Sequence, residues 1–201
     1  MKNLIFLLLC IVICCSRDND TETDNTSQLP AETQTGANTF GCLVNGKLFY
    51  PRDGSFSTAG SANAVTWWGD TSEGSNLYRE LDVNNFKDGK PINNFWMHLQ
   101  DIPTKGTGEY IWMDSNFKHG IDGLMQNYVY VKAFDYNTST WKWYTSYENS
   151  GKTIITKYGG QPIVSGTFSG KLRSADGKET IEIIDGRFDI NTATIGNQNF
   201  P

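Results

Sequence analysis

Histidine is nearly missing from this chain. His98 and His119 are its two examples, with no H-x-x-E-H spacing and no cysteine partner near either, so no zinc motif can be read. Cysteine is scarce where a domain would need it. Three of the four lie within the first fifteen residues, and Cys42 is the fourth. A disulfide framework is therefore excluded as the main support of the fold. Neither a G-x-S-x-G elbow nor a phosphate-cradling loop occurs. Basic charge is also short: 17 Lys and Arg stand against 22 Asp and Glu, a formal net charge of −5. Such a balance argues against a nucleic-acid partner, which requires a basic stripe. Long apolar runs are absent too. Leu4–Cys14 spans eleven residues, about 17 Å as a helix, too short for a bilayer core of about 30 Å.

What is present starts at the N-terminus. Lys2 precedes the apolar run, which ends in Val12-Ile13-Cys14-Cys15. A charged residue followed by a short apolar stretch reads as a secretory signal. Its ending resembles a bacterial lipobox. That resemblance implies a signal peptide over 1–14, cleaved before Cys15, with diacylglycerol on the Cys15 sulfur. The alternative cut before Cys14 would put bulky Ile13 beside the cleavage site. Two or more acyl chains anchor a protein durably, where one myristoyl chain holds it marginally. Cleavage would remove Lys2 and move the formal net charge from −5 to −6.

Residues 15–39 follow as the lipidated cysteine and a polar segment with one large apolar residue, Leu29. So little apolar surface predicts a disordered tether. As a coil of roughly 24 residues it would span about 25–30 Å. Its acidic opening, Ser16-Arg17-Asp18-Asn19-Asp20, resembles the export signal of surface-displayed outer-membrane lipoproteins. Surface display is favoured slightly over the periplasmic face.

Residues 40–201 read as one domain. Asn45-Gly46 between two apolar runs predicts a type I′ hairpin pairing Val44 with Lys47 and Cys42 with Phe49. Cys42 then faces the core. Phe95, Met97 and Leu99 alternate with Trp96, His98 and Gln100, a strand signal. Asp114–Gln126 reads as loop. Near the end, Val164, Gly166, Phe168, Gly170 and Leu172 share one face. Ile181 and Ile183 are out of phase with Phe188 and Ile190, which predicts a bulge at Asp185-Gly186 with glycine supplying the positive φ. About ten short strands and no sustained helical period give an all-β fold, either an antiparallel β-sandwich or a partly closed β-barrel.

Phe40-Gly41-Cys42-Leu43-Val44-Asn45-Gly46, Ser165-Gly166-Thr167-Phe168 and Asp185-Gly186-Arg187-Phe188-Asp189 resemble a family of uncharacterised Bacteroidota lipoprotein domains. The resemblance implies an all-β domain behind a lipid anchor. It implies no catalytic or binding residue.

Chemistry must then come from other signals. Acids are scattered over Glu80, Asp82, Asp101, Glu109, Asp114 and Asp122 in no set spacing. Aromatics are abundant, with six Trp, nine Tyr and eleven Phe. Trp141 and Trp143 share one strand face; Tyr128 and Tyr130 share a face of its expected hairpin partner. Aromatics on both faces exceed what a one-sided core needs, so these four are candidate ligand contacts, set against ordinary core packing. The expectation is a non-enzymatic, lipid-anchored binding or interaction module of the cell envelope. A glycan or an envelope protein is its candidate partner, the membrane is reached through Cys15, and no cofactor or metal is called for. The alternative is a glycan-acting enzyme or its accessory subunit.

Overall fold

A computed structural model describes residues 28–54, 62–70, 77–87, 92–135, 137–159 and 162–201. The leader, Cys15 and the tether up to residue 27 lie outside the described residues. Eleven strands form one sheet: β1 (Thr39–Val44), β2 (Lys47–Phe49), β3 (Val65–Trp68), β4 (Tyr78–Asn84), β5 (Ile92–Gln100), β6 (Gly108–Ile111), β7 (Tyr128–Asp135), β8 (Thr140–Thr145), β9 (Gly151–Lys157), β10 (Ile163–Ser174) and β11 (Thr180–Asn191). The order is β2-β1-β11-β10-β8-β7-β5-β4-β3, with β9 and β6 branching from the first half of β10. Every ladder between named strands is antiparallel, and the sheet curls into a half-barrel. Of the two architectures open to the sequence, the curled single sheet is the one formed. A helical turn, α1 (Ile102–Lys105), links β5 to β6. Among the described residues, no helix is long and apolar enough to cross a membrane.

Local chemistry explains much of this. Asn45 and Gly46 adopt φ of 48° and 74°, and the hairpin pairs Val44 with Lys47 and Cys42 with Phe49. Cys42 is buried, and burial pushes its thiol far above the ordinary range. The bulge in β11 is also present: Phe168 faces Gly186, while Gly170 faces Ile183. It brings Ile181, Ile183, Phe188 and Ile190 all inside. One detail corrects the expectation. Asp185, not Gly186, carries the positive φ, at 53°. Gly186 is required for a different reason, since a Cβ there would lie 2.4 Å from the Phe168 ring.

The concave side holds the core. Phe40, Phe49, Phe95 and Phe168 pack ring to ring, with centroids 5.1–6.4 Å apart. Trp112 is fully buried and donates Nε1–H to Thr153 Oγ1 at 2.9 Å. The open edges are tied together by Asp53. Its carboxylate accepts from the backbone of Ala64 beside β3 and of Phe200 in the C-terminal tail, both at 2.7 Å.

The expected tether is too long. Residues 28–38 do not hang free but form a strap across β11. Buried Asp189 accepts hydrogen bonds from Thr33 Oγ1, the backbone N–H groups of Thr35, Gly36 and Ala37, and Ser165 Oγ. Asn38 adds Oδ1 to Asn191 N and Nδ2 to Thr194 Oγ1. A polar segment with little apolar surface is ordered here by one buried charge.

Candidate functional site

The convex face of β3, β4, β5, β7 and β8 is where the polar and aromatic side chains gather. Strict alternation sends Leu81, Val83, Phe95, Met97, Leu99, Val129 and Val131 into the core, and their neighbours outward. Register then lines those neighbours up in rows across the strands. Trp68, Glu80, His98 and Tyr128 form the first row. Thr66, Asp82, Trp96, Tyr130 and Thr145 form the second. Asn84, Asn94, Lys132 and Trp143 form the third, and Phe134 and Trp141 form a fourth beside it.

The first row is sealed. Glu80 and His98 are 0% and 1% exposed. His98 is sandwiched between the Tyr78 and Tyr128 rings, with centroids 4.9 and 4.5 Å away. Its Nδ1 lies 2.7 Å from Glu80 Oε1, and its Nε2 lies 3.2 Å from Gln100 Oε1. The Gln100 amide is oriented by its Nε2 donating to Leu77 O, so both ring nitrogens face acceptors. Glu80 Oε1 also accepts from Gly120 N at 2.9 Å, and Tyr128 donates to Lys118 O at 3.0 Å. The 114–126 loop is thereby clamped over the row. Burial, with the Glu80 charge next, raises the Tyr128 phenol far above its ordinary range.

The third row opens toward solvent, while in the second Trp96, Tyr130 and Thr145 are buried and Thr66 and Asp82 are partly exposed. His119, carried by the loop, packs on Trp96 at 4.6 Å and on Trp68 at 5.9 Å. Asn94 Nδ2 donates to Asp82 Oδ1 at 2.6 Å and to Asn84 Oδ1 at 3.0 Å; Asn84 Nδ2 reaches Asp82 Oδ1 at 3.2 Å. Burial raises Asp82 to about 6, against the lowering effect of those two amides. Three buried polar atoms of this face, Glu80 Oε2, Trp96 Nε1 and Thr145 Oγ1, have no hydrogen-bond partner among the described residues.

The four candidate aromatics lie on this face but differ in exposure. Tyr128 and Tyr130 are buried beneath the loop and Trp143, so they serve as floor. Trp143 and Trp141 are 38% and 45% exposed. Phe117 of the loop flanks Trp143, and Phe134 flanks Trp141. The structure adds what the sequence reading missed: the Glu80–His98 pair, the Asp82–Asn84–Asn94 group and Lys132. A signal for them was available, since Glu80 and Asp82 alternate with Leu81 and Val83 opposite the Trp96/His98 alternation. Strand order, which decides who meets whom, was not.

A second concavity lies between strap, hairpin and tail. It holds about 430 Å³ and is lined by Pro30, Phe40, Tyr50 and Phe200 among others. No Asp, Glu, His, Lys or Arg side chain among the described residues lines it, so it offers less chemistry than the convex face. Among the described residues, no cluster of three His, Cys, Asp or Glu side chains could hold a metal ion. Comparison with protein-family models, with curated proteins and with solved structures finds no match to this chain.

Proposed function

We propose that this is a lipid-anchored protein of the cell envelope that binds a saccharide on its convex face, without chemistry of its own. The observation that carries the reading is the exposed indole pair Trp141 and Trp143 on one face with the Asp82–Asn84–Asn94 group, Trp143 sharing the row of Asn84 and Asn94. Indole surfaces accept the C–H faces of sugar rings, and amides and carboxylates bond hydroxyls in pairs. Adjacent strands lie about 4.8 Å apart, so the third row runs about 14 Å from Asn84 to Trp143. A platform of that length suits an oligosaccharide better than one ring. Cys15 and the outer membrane remain part of the proposal, supported by the lipobox and the acidic segment after it. With its acidic net charge, nucleic acid is not a proposed ligand.

The test uses the full chain in detergent micelles against an oligosaccharide array. Trp143→Ala is expected to stay folded and to lose at least tenfold in affinity for whichever glycan binds. Unchanged binding would remove the convex face from the reading. Fractionation tests the anchor: Cys15→Ala protein that still sediments with membranes would sink it.

One observation favours an enzymatic second reading. Glu80 and Asp82 are two residues apart on one strand face, about 7 Å between Cα atoms. Glu80 is sealed and already bonded twice, which disfavours it as an acid or base. Release of reducing ends from a bound glycan, abolished in Asp82→Asn, would establish that reading instead.

A further inference from the structure

Resting on the saccharide reading, we propose that the ligand is an acidic saccharide whose anionic group seats on Lys132. Lys132 projects from the middle of the third row, between Asn94 on β5 and Trp143 on β8. Its Nζ lies 4.8 Å from the Trp141 ring centroid and 5.5 Å from that of Trp143. The ammonium is thus held between the two exposed indoles and partly shielded from water. Contact with aromatic rings offsets some of the lost hydration but uses none of its three N–H donors.

Several other cations of the sheet are paired with carboxylates, while Lys47, Arg79 and Lys157, like Lys132, have no ion pair among the described residues; Lys132 is the one of these set between the exposed indoles. Lys142 bonds Asp135 and Glu179, Lys152 bonds Glu109, Arg173 bonds Asp114, and Lys171 lies 4.0 Å from Glu182. Lys132 has no carboxylate within ion-pair distance among the described residues. Asp135, the nearest acid along its own strand, is taken by Lys142. Asp82 is two strands and one row away, about 12 Å by sheet spacing, and turned toward Asn84 and Asn94.

This spacing sorts the ligand's groups. A sugar ring lying on the exposed indole surface would bring a ring carboxylate or sulfate onto Lys132 Nζ. Uncharged hydroxyls further along the chain would meet Asn94, Asn84 and Asp82, where a second anion would be repelled. A charge-assisted bond formed next to an apolar surface is stronger than one in open water. The occupant is therefore a saccharide with a ring-borne anion, rather than an anionic peptide lacking a stacking ring.

The experiment compares a galactose hexamer carrying one galacturonate ring at its end with the unmodified neutral galactose hexamer, using full-length protein in a zwitterionic detergent. The acidic probe is expected to bind at least tenfold more tightly at 50 mM salt and to weaken as salt rises. Lys132→Met keeps the aliphatic stem on the indoles and is expected to lose that preference while keeping its melting temperature. Equal affinity for both probes, or an unchanged preference in Lys132→Met, would overturn the acidic-ligand inference and leave the saccharide reading intact. If neither hexamer nor any arrayed glycan binds, the saccharide reading itself fails. Should Lys132→Met unfold, Lys132→Gln decides: lost preference supports the seat, and retained preference refutes it.

Discussion

Asp82 shows how one side chain can be held at a loss. Burial raises it to about 6, above the ordinary 3.8, although Asn84 and Asn94 both bond its charged form. A carboxylate raised by folding destabilises the native state when ionised. The penalty is absent below about pH 4, grows as pH rises, and is complete above about pH 6. Asp82→Asn keeps an acceptor for both amides and removes the titration. The variant is therefore expected to gain on the order of 2 kcal/mol over the parent at pH 7 and close to nothing at pH 4. Urea midpoints at the two pH values measure this, and an equal gain at both would show that the charge is not its source. Groups kept in such a state are more often found at binding or catalytic positions than in purely structural networks.

At the level of elements, the 114–126 loop depends on the buried, hydrogen-bonded Glu80–His98 pair rather than on its own sequence. Glu80 holds His98 from one side and Gly120 N–H from the other. Exposed Ile121 and Met125 lie at its outer side and add no anchoring burial. Glu80→Ala would leave the His98 ring buried without its carboxylate and free Gly120. Leaving a buried donor or acceptor without its partner costs about 1–3 kcal/mol. The expected result is a loss of that size, together with faster amide exchange at Gly120 than in the strands. Stability loss without faster exchange at Gly120 would show that the loop is held elsewhere.

Across the whole molecule, the strap couples the N-terminus to the sheet. Burial alone would raise Asp189. The hydrogen bonds from Thr33, Ser165, Ala37 and Gly36 outweigh it and hold its carboxyl well below the usual range. A depressed carboxyl contributes stability above the ordinary carboxylate range and loses it as pH falls. A chain starting at Thr39 would retain only Ser165 among the side-chain and strap donors to Asp189. It is expected to lose about 3 kcal/mol or more at pH 7, and less as pH approaches 3. Chemical denaturation of the two lengths would measure it; equal stability would mean the strap rests on the sheet without supporting it. Because the strap lies N-terminal to the sheet, a pull on that end would reach the Arg187 contacts with Pro30 and Glu32 first and Asp189 next.

Much of the fold was legible because it is set by neighbours in the chain. Asn45-Gly46 needs positive φ at both residues, so its hairpin and register follow from two letters. The phase slip between Ile183 and Phe188 locates a bulge, because a period of two cannot bury both pairs otherwise. Alternation through Trp96, His98 and Gln100 says that two faces exist. Contacts between distant segments were not legible. Asp189 meets Thr33 across 156 positions, and the order of strands, which sets Glu80 beside His98 and Lys132 beside Trp143, is not a local property. Gly186 illustrates the division: the sequence marks a glycine at the bulge, and only the packed Phe168 ring explains why it must lack a side chain. Local backbone chemistry thus determined strands, turns and faces. Tertiary structure decided which faces met, because burial and charge act between residues that the chain itself keeps far apart.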